Sequence, residues 1–174
     1  MIKIIDNFFS TQLFEKIKNH ITTKLHYTPK YFDGTNEKNN LNYYGSRFSL
    51  SEDKELLKVF ITQAEKKFQI KIKKTHGDSG IDIRNLDHFA PHTDFSLGAK
   101  INVLVMLSGP TAVTNGTVFY YTDKDNKKEL DIHVGFRENR AILFPSNWWH
   151  SAHASNVPNL KRYTATLFIE DYEE

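Results

Sequence analysis

Seven segments in the second part of the chain have the β-branched and aromatic content of strands, and this series constrains the fold more than any other feature. They are QIKIK, GIDIRNL, AKINVLVML, GTVFYYT, ELDIHV, RAILF and RYTATLFIE. Clusters of turn-forming residues such as SGPTAVTNG and TDKDNKK separate them. Strands this short and this numerous predict an antiparallel sandwich or barrel.

Two helices are predicted before these strands. Apolar residues recur at helical spacing from Leu13 to Leu25, behind Ser10 as a candidate N-cap. A second helix is predicted over residues 51–68, behind a capping box that begins at Ser49. The segment MIKIIDNFF predicts a short strand and a turn, and the polar segment YFDGTNEKNNLNYYGSRF predicts a long loop.

These elements predict an α+β, mainly β chain that forms a single domain over residues 1–174. Residues 1–68 would supply a strand and the helices, and residues 69–174 would form the β core. A chain of 174 residues is long enough to bury a full core without disulfides or a structural metal.

The composition restricts the classes of function. No apolar run reaches the roughly 18 residues of a membrane span, and the first residues lack the pattern of a secretory signal. There is no cysteine for a disulfide or a thiolate metal site. We therefore expect a cytoplasmic protein without a membrane partner. The net charge of +2 does not demand nucleic acid, and the lysines between Lys66 and Lys74 are interpreted as a solvated face.

Candidate metal ligands occur in the segment HTD, at His92 and Asp94. In an extended strand their side chains point to the same face, so one ion could contact both. Two histidines and one carboxylate with open coordination positions suit Fe(II). The pair alone is weak evidence, because a hydrogen-bonded surface pair has the same spacing.

Arg162 and Thr164 share one face of a predicted strand that is otherwise apolar and aromatic. A buried arginine needs a partner, and its planar guanidinium binds a carboxylate through two hydrogen bonds. No acidic residue is adjacent to Arg162 in the sequence. Its partner could be the carboxylate of a small molecule or a distant Asp or Glu.

Four segments in order, HTD, NGTVFYY, RAILFPSNWWHSA and RYT, resemble the iron(II)- and 2-oxoglutarate-dependent dioxygenases. The resemblance is strongest to the prolyl 4-hydroxylase-like branch, in the compact form common in bacteria and phages. It covers roughly residues 80–170, and MIKIIDNFFSTQLFEKI also resembles the beginning of many such domains. The resemblance implies a double-stranded β-helix, a jelly-roll of cupin-like form, with the N-terminal helices packed on one sheet.

The same resemblance implies that His92 and Asp94 are two iron ligands and that His150 is the third. His150 follows an FPS segment and a short turn, as the distal histidine of the family does. His153 would face the opposite side of an extended strand. It stays the alternative, because it lies nine residues before Arg162 whereas His150 lies twelve before it.

Arg162 would bind the far carboxylate of 2-oxoglutarate with support from Thr164, while Asn102 would point into the same pocket. Lys161 is a lesser alternative to Arg162, and Leu104 and Met106, on the face of Asn102, are either pocket or core residues. The implied cofactors are Fe(II), 2-oxoglutarate as cosubstrate and O2. The charges of Fe(II) and Arg162 balance those of Asp94 and 2-oxoglutarate, which makes burial of the site plausible.

The implied activity is hydroxylation of an unactivated C–H bond with release of succinate and CO2. A peptidyl residue, proline first, is the predicted substrate, and a small molecule is the alternative. A nucleic-acid oxygenase of this superfamily would carry a second arginine where Phe168 stands. The candidate substrate contacts are Tyr43, Tyr44, Arg47, Trp148 and Trp149.

Two other classes of protein stay open. One is a cupin-like metal protein that does not use 2-oxoglutarate, and the other is a binding module that has lost activity. The combined presence of the three candidate ligands and Arg162 argues against the binding module.

Overall fold

The computed structural model describes residues 1–32, 42–84, 91–125, 127–154 and 161–174. These residues contain eleven strands and two α-helices. The helices are α1 (Thr11–Thr23) and α2 (Lys54–Phe68). The strands are β1 (Lys3–Ile5), β2 (Thr28–Phe32), β3 (Asn42–Ser49), β4 (Lys71–Thr75), β5 (Gly80–Arg84), β6 (Ile101–Ser108), β7 (Asn115–Thr122), β8 (Lys128–Gly135), β9 (Arg140–Pro145), β10 (Trp149–Ala154) and β11 (Arg162–Glu173).

The strands form two antiparallel sheets. The larger sheet has the order β1-β9-β6-β11-β5-β3-β2, with β4 paired to the end of β11, and the smaller sheet has the order β10-β7-β8. The two sheets meet in an apolar cluster to which both contribute: Met106, Phe119, Val134, Phe136, Ile142 and Phe144. The prediction of a mainly β, antiparallel chain with two helices is confirmed.

Both helices cover the outer face of the larger sheet. Alternate residues of β6 and β11 share one buried cluster with the apolar stripes of the helices, which include Ile17, Ile21, Phe60, Ala64 and Phe68. Ser10 caps α1 by accepting a hydrogen bond from the Leu13 N–H at 3.4 Å, as predicted. Neither helix of the described residues has the length and apolar character needed to cross a membrane.

The second helix begins later than predicted. Ser49 caps a separate 3-10 turn, Leu50–Glu52, and α2 starts at Lys54. The reason is a second cap, because the carboxylate of Asp53 accepts a hydrogen bond from the Leu56 N–H at 2.9 Å. The predicted capping box at Ser49 is therefore wrong.

The predicted loop over residues 31–48 is wrong at both ends: its first two residues belong to β2, and its last residues belong to β3, which pairs with both β2 and β5. Residues 33–41 lie outside the described part of the chain. Gly45, which suggested a loop, is required by strand packing: a Cβ atom there would lie 2.1 Å from the carbonyl oxygen of Ile83. β10 is also absent from the seven predicted strands, although the prediction that His150 and His153 face opposite sides assumes an extended strand there.

Asn139 fastens the N-terminal segment to the larger sheet. Its side chain accepts a hydrogen bond from the Phe9 N–H at 2.8 Å and donates one to the Phe9 carbonyl at 3.0 Å. Its backbone joins Phe8 and Met106 through hydrogen bonds of 2.9 and 2.8 Å. Asn139 is buried and has a φ of 63°, a left-handed conformation that asparagine tolerates better than most residues.

We expect Asn139→Ala to lower the free energy of unfolding by about 2–4 kcal/mol, because Phe9 would lose two buried hydrogen bonds and alanine disfavours this backbone conformation. Asn139→Gly should cost less, since glycine adopts positive φ freely. Urea unfolding measures both values. Asn19→Ala, at an exposed position of α1, is the control and should be near neutral. Equal losses for alanine and glycine would contradict the role of the backbone conformation.

Candidate metal centre and cavity

Main-chain hydrogen bonds place His92, Asp94 and His150 beside one another. His150 is the second residue of β10, and His92 forms an isolated bridge with it, in which each N–H donates to the other residue's carbonyl at 3.0 and 2.9 Å. The Asp94 N–H donates to the Ser146 carbonyl at 2.9 Å. The HTD segment is thus fixed at His92 to β10 and at Asp94 to the turn before β10, and it does not form a strand of its own as the sequence suggested.

The three side chains converge on one point. Their ligand atoms all lie within 4.8 Å of one another. The Nε2 atom of His150 is 3.2 Å from Oδ2 of Asp94, and the Nε2 atom of His92 is 3.8 Å from Oδ1. Asp94 and His150 are buried and His92 is half-buried. The described residues contain no other group of three such side chains.

Neighbouring groups orient the side chains of His150 and Asp94 through hydrogen bonds. The Trp148 carbonyl can only accept, so Nδ1 of His150, 3.0 Å away, donates to it; this bond fixes the orientation of the ring and turns Nε2 toward the place where an ion would bind. The amide of Asn102 donates to Oδ2 of Asp94 at 2.6 Å. Burial raises the pKa of Asp94, but His150, His92 and Asn102 together hold that pKa below its usual value. The carboxylate is therefore ionised at neutral pH.

His153 lies apart from this group. Along β10 the side chains of His150 and Ala152 line the cavity between the sheets. The ring of His153 is instead near that of His133, with 6.3 Å between the ring centroids. The alternation of a strand thus separates the two histidines.

A cavity of about 220 Å³ extends from the three candidate ligands between the two sheets. One wall is the inner face of β11, with Arg162, Thr164, Thr166 and Phe168. Thr117 and Ala152 line it from the smaller sheet, and Leu104 from β6. Met106 is buried in the cluster between the sheets. Thr164 therefore lies in the cavity, whereas Asn102 contacts Asp94 from the side.

Arg162 lies deep in this cavity, with 3% of its surface exposed. Its Nη1 donates to Oδ1 of Asn115 at 3.0 Å and to the Gly116 carbonyl at 2.7 Å, whereas Nε has no hydrogen-bond partner among the described residues. It forms no salt bridge within the described part of the chain. Burial and the neighbouring Arg84 lower its pKa to about 10, while Asp82 raises it. Lys161 is exposed, with its ammonium 5.6 Å from the Tyr163 ring.

The separation between Arg162 and the candidate ligands follows from strand pairing. Gly116, which accepts from Arg162, pairs with His153, and Phe119 pairs with His150. Three residues of a strand span about 10 Å. Arg162 thus marks one end of the cavity and the three ligands mark the other.

Sequence reasoning missed two charged residues of the cavity, Asp82 and Arg84. They alternate along β5 with Ile81 and Ile83, so a polar face opposite an apolar one was already visible in GIDIR. Arg47 also lines the cavity, from β3 rather than from the predicted loop.

The two tryptophans predicted to contact the substrate lie away from the cavity lining. Trp148 packs against Phe119, with ring centroids 6.3 Å apart, and the Lys128 ammonium lies 3.8 Å from the Trp149 ring centroid. Neither tryptophan lines the cavity. The side chains of Tyr43 and Tyr44 lie outside the described part of the structure.

No protein-family model and no curated protein matches the sequence. Solved structures do match the fold. The alpha ketoglutarate dependent epimerase SnoN from nogalamycin biosynthesis has a TM-score of 0.64 at 10% identity, covering 99% of this chain and 77% of its own. A Trichoplax adhaerens prolyl hydroxylase, in complex with a hypoxia inducible factor peptide, has 0.59 at 15% identity, with coverages of 97% and 82%. EctD from S. alaskensis with bound Fe has a TM-score of 0.63 at 13% identity, covering 99% of this chain and 72% of its own. This chain has the fold that these three proteins share.

Proposed function

We propose that this protein is an Fe(II)- and 2-oxoglutarate-dependent dioxygenase. One observation carries the proposal: His92, Asp94 and His150 converge at one end of a cavity whose other end is the buried Arg162. The first end suits a divalent metal and the second suits a carboxylate. A molecule that binds a metal at one end and carries a carboxylate at the other fits both.

The donor set supports iron. Two imidazole nitrogens and one carboxylate oxygen occupy one side of an ion and leave its other positions to ligands. His150 presents Nε2 because Nδ1 is bonded to a carbonyl, and Asp94 is held by Asn102. Iron bound here, with O2 and 2-oxoglutarate, supplies conversion of a C–H bond to C–OH, while the cosubstrate becomes succinate and CO2.

The opposite end supports 2-oxoglutarate. Nε of Arg162 is a buried donor without a partner among the described residues and needs an acceptor, and Thr164 lies on the same face two residues later. The five-carbon chain of 2-oxoglutarate, with its bonds at both ends, is about as long as the roughly 10 Å that strand register puts between the two ends of the cavity. The role of Arg162 is to neutralise and orient the far carboxylate in a place that excludes water. A cupin-like protein that does not use 2-oxoglutarate has no need of this arginine.

As substrate we propose a peptidyl residue, with proline first, on the resemblance of the sequence segments to prolyl 4-hydroxylases. A peptide-bound prolyl hydroxylase is among the proteins of the same fold. A small molecule is the second candidate, and the small volume of the cavity, about 220 Å³, and its charged wall favour it. Phe168, in place of a second arginine, argues against nucleic acid.

His150→Ala should abolish Fe(II) binding, because it removes one of three ligands, whereas His153→Ala should retain it. Anaerobic titration with Fe(II) and 2-oxoglutarate measures this through the weak visible charge-transfer band of the chelate. His153→Ala is the matched control on the same strand. If the wild type shows no band, the proposed function is wrong. If only His153→Ala loses the band, the third ligand is His153.

Arg162→Lys should weaken 2-oxoglutarate binding roughly 10- to 100-fold, because lysine cannot reproduce the charge-assisted hydrogen bonds of the guanidinium. Metal affinity in the absence of 2-oxoglutarate should not change. The same titration gives both constants. Lys161→Gln, at the exposed neighbouring position, is the control. Unchanged 2-oxoglutarate affinity in Arg162→Lys would show that another residue binds the far carboxylate.

A further inference from the structure

A second group of charges lines the cavity on the side of β3 and β5. Arg47 donates to Asp82 through Nε and Nη2, both at 3.0 Å from the carboxylate oxygens. The Nη2 atom of Arg84 is 3.8 Å from the same carboxylate. Asp82 is buried, with 5% of its side chain exposed, while the two arginines are 19% and 16% exposed. Two guanidinium groups thus share one carboxylate at the cavity wall.

Strand register brings a third guanidinium to this group. Arg47 pairs with Asp82, and Asp82 with Thr164, across β3, β5 and β11. In the next row Arg84 lies directly opposite Arg162. Like charges at directly opposite positions destabilise a sheet, and Arg84 contributes to the lowered pKa of Arg162. An anion bound beside Arg84 and Arg162 would offset this repulsion.

The proposed metal and cosubstrate do not neutralise the charges that the described residues bring to the cavity. Its described lining carries the guanidinium groups of Arg47, Arg84 and Arg162, and the buried carboxylates of Asp82 and Asp94. With Fe(II) and 2-oxoglutarate added, the positive charges exceed the negative ones by one. Asp78 also lines the cavity, but its side chain is 59% exposed and is therefore screened by solvent.

Burial separates the roles of the three arginines. Arg162 is almost completely enclosed, which suits a cosubstrate that binds before the substrate. Arg47 and Arg84 stay partly accessible. Arg47 also lies 5.8 Å from the centre of the Phe168 ring, and Phe168 pairs with Asn102, the partner of Asp94. The Arg47 guanidinium therefore reaches toward the metal end of the cavity, where a substrate must bind.

We propose that Arg47 and Arg84 form a carboxylate site for the substrate, so that the molecule hydroxylated here is an acid. This inference rests on the proposed function and names the class of its substrate. Asp82 holds the Arg47 fork in place before binding, so little side-chain freedom is lost. The carboxylate belongs either to a free amino acid or other small acid, or to an acidic group of a peptide.

The first experiment compares acids with their amides. Free L-amino acids, each beside its amide, are titrated by calorimetry into protein loaded with Mn(II) and 2-oxoglutarate, which binds substrate without turnover. A second arm uses the blocked peptides acetyl-Gly-Pro-Asp-amide and acetyl-Gly-Pro-Asn-amide. At least one acid should bind roughly 10-fold or more tightly than its amide, the strength of a charge-assisted hydrogen bond. If no acid does so in either arm, the carboxylate site is wrong.

The second experiment changes Arg84. Arg84→Gln should abolish the preference for the acid, and Arg84→Lys should keep part of it. Asp82 stays paired with Arg47 in both variants, so no buried carboxylate is left alone. Arg137→Gln, which changes an exposed arginine bonded to Asp6 outside the cavity, should behave as wild type. Thermal unfolding of each variant checks that the fold is intact.

The two proposals fail in different ways. Absence of the chelate band in wild type overturns the proposed function. A normal band without any preference for acids overturns only the carboxylate site. If Arg84→Gln loses 2-oxoglutarate binding as Arg162→Lys does, the pair binds the cosubstrate and the inference about the substrate is wrong.

Discussion

Strand β11 is buried on both faces from Arg162 to Ile169, and each face has a different chemistry. Tyr163, Ala165 and Leu167 pack into the core under the helices. The alternate residues, from Arg162 to Phe168, face the cavity. A buried polar face is stable only if its groups find partners, because each unpaired donor costs about 1–3 kcal/mol. The helices cover the first face and the smaller sheet covers the second, where a bound polar molecule would supply the acceptor that Nε of Arg162 lacks among the described residues.

A ligand that binds in the cavity would also raise the stability of the folded chain. Without ligands, one end of the cavity holds the Asp94 carboxylate and the other holds the guanidinium of Arg162, and the strand rise keeps them too far apart to pair. A metal ion and a dicarboxylate place opposite charges at both ends. Whatever binds only the folded chain raises its stability in proportion to the logarithm of ligand concentration. If the proposed metal and dicarboxylate bind here, they would therefore also stabilise the contact between the two sheets.

The sequence predicted the elements whose pattern is local. Alternating β-branched residues identified most strands, and Ser10 correctly marked the start of α1. It failed where a distant partner decides the structure. Its glycine and polar residues predict a loop for β3, but in the structure they serve its pairing with β5 and the lining of the cavity. The ion pair of Arg47 with Asp82 joins residues 35 positions apart, which no local pattern can indicate.

The metal centre and the charged wall are specified in different ways. His92 and His150 are joined through backbone atoms, and Asp94 is fixed by a backbone bond to Ser146. Many sequences can supply such bonds, so the placement of these three residues depends little on the neighbouring side chains, and the fold itself is shared with solved structures at 10–15% identity. The β3 and β5 wall depends on the side chains of Arg47, Asp82 and Arg84 themselves. Residues that select the substrate should therefore lie on these two strands, apart from the four segments that carry the family resemblance.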